Sequence, residues 1–276
     1  MTIQRALPVR GRRMVGAWCF LDRFGPFEFA DTRPIDVPPH PHIGLQTLTW
    51  LARGEALHRD SLGSEALARP GYVNVMTAGR GIAHAEQTPR TNSGRLEGAQ
   101  LWIALPDAAR HSAPAFEQTE IVRHDLGDGE LELFVGRYAT LVSNSTVHSP
   151  IVGVSLVVRS ERAMELELDP QFEYAFVPLE GVFALDGREV SPGTLVYRAP
   201  GAASLEVRGV RDARALLLGG APFGERIMMW WNFVARSNGE LAEARDAWQT
   251  RQRFGTVAGF GDTRMDAPPL YRVSGA

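Results

Sequence analysis

The sequence predicts an all-β chain of two tandem β-barrels, and three observations carry that reading. Short runs rich in β-branched, aromatic and aliphatic residues recur along the chain, with Gly or Pro in nearly every gap. That is the pattern of many short strands in a barrel or sandwich. A faint repeat runs through the chain: "LTWLARGEALHRDSLGSEALARPGYVNV" and "YAFVPLEGVFALDGREVSPGTLVYRAPG" share the order strand, Gly turn, strand, Pro-Gly, strand. Gly54 matches Gly181 and Pro70 matches Pro192, as when one unit is used twice. Helices are few and short, and a single stretch near the C-terminus has a convincing helical pattern.

Taken in order, residues 45–51, 72–76 and 99–105 read as strands, as do the runs starting at Leu131, Ile151, Phe172 and Ala213. The polar stretch 143–150 reads as the linker, which gives a first barrel over 1–149 and a second over 150–276. The helix opens at Ser237, where Ser237 and Glu240 have capping-box spacing. Leu241, Ala244 and Trp248 then share one face, and Gly255 is the expected stop. This helix is expected to pack on the second barrel.

Composition narrows the function classes. The 276 residues are 44% hydrophobic, enough for a true core. The net charge is −3 with acids and bases interspersed, so no basic stripe invites nucleic acid. Cys19 is the only cysteine, which excludes an intrachain disulfide and a cysteine-rich zinc site. Flanked by Trp18 and Phe20, it reads as a core residue. The start "MTIQRALPVRGRR" has no apolar stretch behind its charges, and no run reaches membrane length. The expectation is a soluble cytoplasmic protein with no membrane partner.

Chemistry concentrates in two short stretches. "PPHPHIGLQTLTW" sets His40 and His42 one residue apart, and "TAGRGIAHAEQTP" does the same with His84 and Glu86. In a strand, residues i and i+2 point to one face. If both strands face the inside of one barrel, three imidazoles and a carboxylate converge. Such a set suits a borderline divalent metal: iron, manganese, cobalt, nickel or zinc. A lone H-x-H is as well explained by surface histidines; it is the matched spacing in two strand-like segments that favours a metal. The last histidine is His148, so the second repeat cannot offer the same ligands.

Other residues weigh less. His58 and Asp60 in "LHRDSLG" read as a strand-to-turn pair rather than as groups behind a metal site. His111, His124 and His148 stand in polar loops. Trp230 and Trp231 read as packing that would also suit a planar aromatic substrate. "TAGRGIAH" lacks the Gly-Lys-Ser/Thr of a phosphate loop, and its glycines serve a tight turn beside His84.

The stretches "RMVGAWCFLDRFGPFEF", "VPPHPHIGLQTLTWLARG", "HRDSLG", "ARPGYVNVMTAGRGIAHAEQTP" and "LEGAQLWIALP" together resemble the pirin family of cupins, with a looser likeness at "LGGAPFGERIMMWWNFVARS". The resemblance implies a bicupin, two double-stranded β-helix barrels with one metal in the first. It implies His40, His42, His84 and Glu86 as ligands of one divalent ion, iron first, with Mn, Co, Ni, Cu or Zn as alternatives. It implies a dioxygenase of the quercetin 2,3-dioxygenase type, with a small aromatic flavonol or phenol and dioxygen as partners and Glu86 taking the substrate's proton. The alternative it carries is a non-catalytic iron-binding regulator that acts through a protein partner. Two departures stand out. Ile43 and Gln46 occupy places where many members have a basic residue and a Glu, which lowers the negative charge expected near the mouth. "WWNFVAR" replaces the common "GPFVMN", which alters the barrel wall.

Overall fold

The structure, a computed structural model, describes residues 3–30 and 32–271. Over these the chain forms 23 strands and one helix, Asn238–Gln249. All seven predicted strand runs lie in strands, among them Leu45–Gly54, Tyr72–Thr77, Arg95–Ala104 and Ile151–Val158. None of the described helices is long and apolar enough to cross a membrane.

By contacts the chain forms two compact units, and it does not change unit at a single point. One unit takes Phe24–Gln118 together with residues 224–271; the other takes Gln4–Arg23 and Thr119–Phe223. Residues 143–150, read above as a linker, fall inside the second of these. They connect Gly129–Tyr138 to Ile151–Val158, two strands paired antiparallel with each other. Ser143 and Ser145 in that stretch are buried, and both hydroxyls donate to the Phe134 carbonyl. Their polarity satisfies a strand end rather than marking a linker.

The second unit has a hydrocarbon core. Leu131, Leu133, Val154, Leu156, Phe176, Leu205 and Leu217 fill it. Tyr138 and Tyr174 are admitted because their hydroxyls accept the backbone N–H groups of Glu167 and Asp169. Trp18, from the N-terminal segment, is fully buried, its indole N–H shared between the carbonyls of Val152 and Gly219. Cys19 beside it is buried, as its apolar neighbours predict.

The first unit positions the candidate site. One of its sheets has Leu45–Gly54 between Arg95–Ala104 and Tyr72–Thr77. Another is four-stranded, in the order Asp36–His42, Ile82–Gln87, Ala56–Asp60, Glu65–Ala68. Strand alternation divides Ile82–Gln87 cleanly: His84 and Glu86 face one way, Ala83 and Ala85 the other. Ala83 and Ala85 pack in a cluster with Trp230, Phe233, Leu241, Ala244 and Trp248. The helix therefore packs on the histidine-bearing unit, which corrects the expectation that it would cover the second barrel. The physical reason is the small apolar outer face of that strand, which accepts large aromatic side chains.

The helix start is half of the expected capping box. Ser237 accepts from the Glu240 backbone N–H at 3.2 Å. The Glu240 carboxylate does not return to Ser237; it accepts from the Arg236 backbone N–H and from Arg110. The helix ends at Gln249 with Thr250 as cap, short of the expected stop at Gly255. The Thr250 hydroxyl and backbone N–H both bond the Asp246 carbonyl, which satisfies the last turn early.

Candidate metal centre

His40 and His84 face each other across neighbouring strands in register, with a bulge between Val37 and His40 that re-aims the histidine pair. The side chains of His40, His42 and His84 place one ring nitrogen each within 4.8 Å of the others, and all three are buried. His42 Nε2 and His84 Nε2 are 3.0 Å apart.

The outer nitrogens are tied down. His40 Nδ1 lies 2.9 Å from the Pro38 carbonyl and His42 Nδ1 3.0 Å from the Asn232 carbonyl. Carbonyls only accept, so both Nδ1 atoms carry the hydrogen and both Nε2 atoms keep a lone pair. His84 Nδ1 lies 3.3 Å from His58 Nδ1, and His58 Nε2 lies 3.2 Å from Asp60 Oδ2. Asp60 Oδ1 accepts from the backbone N–H groups of Leu62 and Ser64. The pair first read as a simple strand-to-turn element thus stands directly behind His84.

Burial keeps these rings neutral. It lowers His40 to about 4, against the pull of the Pro38 carbonyl. Burial, then the neighbouring His40, holds His42 well below the ordinary histidine range. His84 is held well below that range by burial and then by His40, His42 and His58. Three buried neutral imidazoles, two of them with Nδ1 hydrogens tied to carbonyls and Nε2 lone pairs left free, are a donor set for a divalent metal. Two ligands at right angles around an ion at about 2.1 Å stand about 3.0 Å apart, which matches the His42–His84 spacing. The residues present fit a metal.

Glu86 shares the face of His84 but is not gathered into that group of three. Its Oε1 lies 3.0 Å from the Thr49 hydroxyl, which also lies 2.9 Å from Gln100 Oε1. Burial raises the Glu86 carboxyl above its ordinary value, opposed by His58 and the Thr49 hydrogen bond. Trp102 meets His42 edge-on at 5.4 Å between ring centroids.

The Pirin family profile matches residues 1–103, and the Pirin C-terminal cupin domain profile matches residues 154–255. A protein of Pseudomonas aeruginosa with a provisional quercetin 2,3-dioxygenase name is 45% identical over 272 residues, 98% of this chain and 86% of that protein. A pirin-like protein of Caulobacter vibrioides is 36% identical, covering 90% of this chain and 88% of its own. The chain belongs to the pirin family. The crystal structure of a quercetin 2,3-dioxygenase from Acinetobacter baumannii superposes with a TM-score of 0.92 at 44% identity, over 98% of this chain and 92% of that one. The all-β bicupin fold expected from the sequence is the fold of this pirin-family chain.

The two departures from the family pattern now have places. Gln46 is fully buried and donates to the Thr77 hydroxyl, so it stands within the sheet and not at a mouth. Ile43 packs in the cluster under the helix. "WWNFVAR" forms a hairpin, Met228–Trp230 with Phe233–Ala235. At its tip the Asn232 carbonyl orients His42. That contact joins residues 190 positions apart through a backbone atom, and no side-chain pattern could have signalled it. His111 and His124 are exposed and His148 half-buried, and none joins the group of three.

Proposed function

We propose that the chain is a metal-dependent dioxygenase of the quercetin 2,3-dioxygenase type, acting on a flavonol or related phenol. His40, His42, His84 and Glu86 would hold one divalent ion, iron first. The observation that carries this reading is the convergence of three buried neutral imidazoles beside a carboxyl of raised pKa. When bound, the metal would supply the redox chemistry that brings phenol and dioxygen together.

The residues of the chain do the rest. A carboxyl raised by burial is a stronger base than an ordinary carboxylate, which favours taking a proton from a phenol. Thr49 has one hydroxyl proton and two acceptors in reach, Glu86 and Gln100. While Glu86 is ionised, the proton of Thr49 serves it. Once Glu86 takes the substrate's proton, the Thr49 hydroxyl turns to Gln100, and the carboxyl is released without leaving a buried donor unpaired.

The test is anaerobic purification with metal analysis, followed by oxygen uptake on quercetin and a panel of phenols, normalised to bound metal. Metal-dependent uptake on at least one phenol is expected. A fully loaded protein that consumes no oxygen with any of them overturns the enzymatic reading and leaves the binding protein that responds to the metal's oxidation state.

A further inference from the structure

We propose that Asp60 and His58 form a positioning relay that fixes which nitrogen of His84 carries the hydrogen, and so whether His84 can bind a metal. The inference rests on the reading that His40, His42 and His84 hold a divalent ion.

His40 and His42 are oriented by backbone carbonyls, of Pro38 and Asn232. His84 alone is oriented by a side chain, His58, which is in turn held by Asp60. Strand register builds this arrangement: on neighbouring strands Asp60 stands opposite His84, and His58 opposite Glu86. Asp60, His58 and His84 are 2%, 3% and 1% exposed, so their hydrogen bonds are shielded from bulk solvent. The His58 ring is clamped against Phe116, the rings stacked 4.3 Å apart at 14°.

The proton positions follow from one end. An ionised carboxylate only accepts. Hydrogen bonds from His58 and Ser64 hold Asp60 below its ordinary value, against the opposing effect of burial. His58 Nε2 must then carry the ring's hydrogen toward Asp60, which turns the bare Nδ1 to His84. A bare Nδ1 obliges His84 Nδ1 to donate, which leaves His84 Nε2 bare and aimed at His42 Nε2. One fixed acceptor thus sets both rings.

Asp60→Asn inverts the chain. The two backbone N–H groups of Leu62 and Ser64 keep the amide oxygen on their side, so the amide N–H₂ faces His58. His58 Nε2 then becomes an acceptor and Nδ1 a donor. His84 must accept on Nδ1 and carry its hydrogen on Nε2, the atom a metal needs. Removing such an outer partner typically weakens metal affinity roughly ten- to a hundredfold.

The experiment titrates cobalt(II) into full-length wild type, Asp60→Asn, His58→Phe and the double variant, and reads the tautomers of His58 and His84 by nitrogen-15 NMR in the metal-free proteins. Expected are at least tenfold weaker cobalt binding in each single variant and a His58 hydrogen that moves from Nε2 to Nδ1 in Asp60→Asn. In the His58→Phe background, adding Asp60→Asn should change affinity less than twofold, because Asp60 acts only through His58. Unchanged affinity or tautomers in Asp60→Asn, or a full additional loss in the double variant, overturns the relay. If Asp60→Asn does not fold, His58→Phe decides alone, and wild-type affinity in it overturns the proposal. A wild type that takes up no cobalt overturns the metal reading itself, and the wild-type tautomers then still show whether the relay sets the hydrogens.

Discussion

His42 Nε2 and His84 Nε2 stand 3.0 Å apart, and because His42 Nδ1 donates to the Asn232 carbonyl, the His42 Nε2 lone pair faces His84. A lone pair aimed at a second imidazole at that distance is a place for either a proton or a cation. The strand register that holds them, His40 opposite His84 and His42 opposite Ile82, is set by backbone pairing and not by the imidazoles themselves.

His84→Ala should therefore abolish stoichiometric metal binding and leave the protein folded. The first unit keeps its apolar cluster under the helix, and the second has a separate hydrocarbon core. Metal content after dialysis, with circular dichroism on the same sample, checks this. Full occupancy in the variant would exclude His84 as an essential ligand.

Glu86→Gln keeps the size of the side chain and removes its basicity. If Glu86 takes the substrate's proton, oxygen uptake per bound metal should fall roughly a hundred- to ten-thousandfold. Equal rates per metal in wild type and variant would end that role.

Much of this site was legible because strands alternate. The i, i+2 pairs His40/His42 and His84/Glu86 announced a shared face, and the shared face is what the sheet provides. The same alternation held the place of the helix: Ala83 and Ala85, on either side of His84, mark an outer face made for large apolar cover. The Asp60–His58 chain was partly legible, since H-x-D again has same-face spacing. What its spacing could not tell is that His58 turns its far nitrogen to His84, which depends on strand pairing across the sheet. The second unit's extent was hidden for a different reason. Trp18 is inserted into it by a long-range contact, and the polar 143–150 stretch bonds inward.

Burial of His40 makes a prediction for stability in the metal-free protein. Its folded value, about 4, lies below the ordinary 6.5, so the unfolded chain binds a proton the native state refuses. The associated stability is complete above about pH 6.5 and is lost as pH falls through 4. Between pH 7 and 5 this one ring accounts for about 2 kcal/mol, and His42 and His84 act in the same direction. Urea midpoints at the two pH values should show a marked drop in wild type and a smaller one in His40→Gln. Parallel drops in both would mean that His40 is not a source of the acid sensitivity.

Thr49→Val isolates the hydroxyl that serves Glu86. The Thr49 hydrogen bond favours the ionised carboxylate and works against burial, which raises Glu86. Valine keeps the branched shape and removes the donor, so the carboxyl should rise further. A base with a higher pKa is protonated over more of the acidic range, so the acid limb of oxygen uptake moves to higher pH. Loss of one hydrogen bond to a charged group corresponds to a displacement of about one pH unit. Uptake should be nearly preserved on the alkaline side of the limb and reduced most on its acid side, with metal content unchanged. An acid limb that stays in place would show that Thr49 does not set the proton affinity of Glu86. A uniform loss at every pH would instead place Thr49 in substrate binding, through its neighbour Gln100.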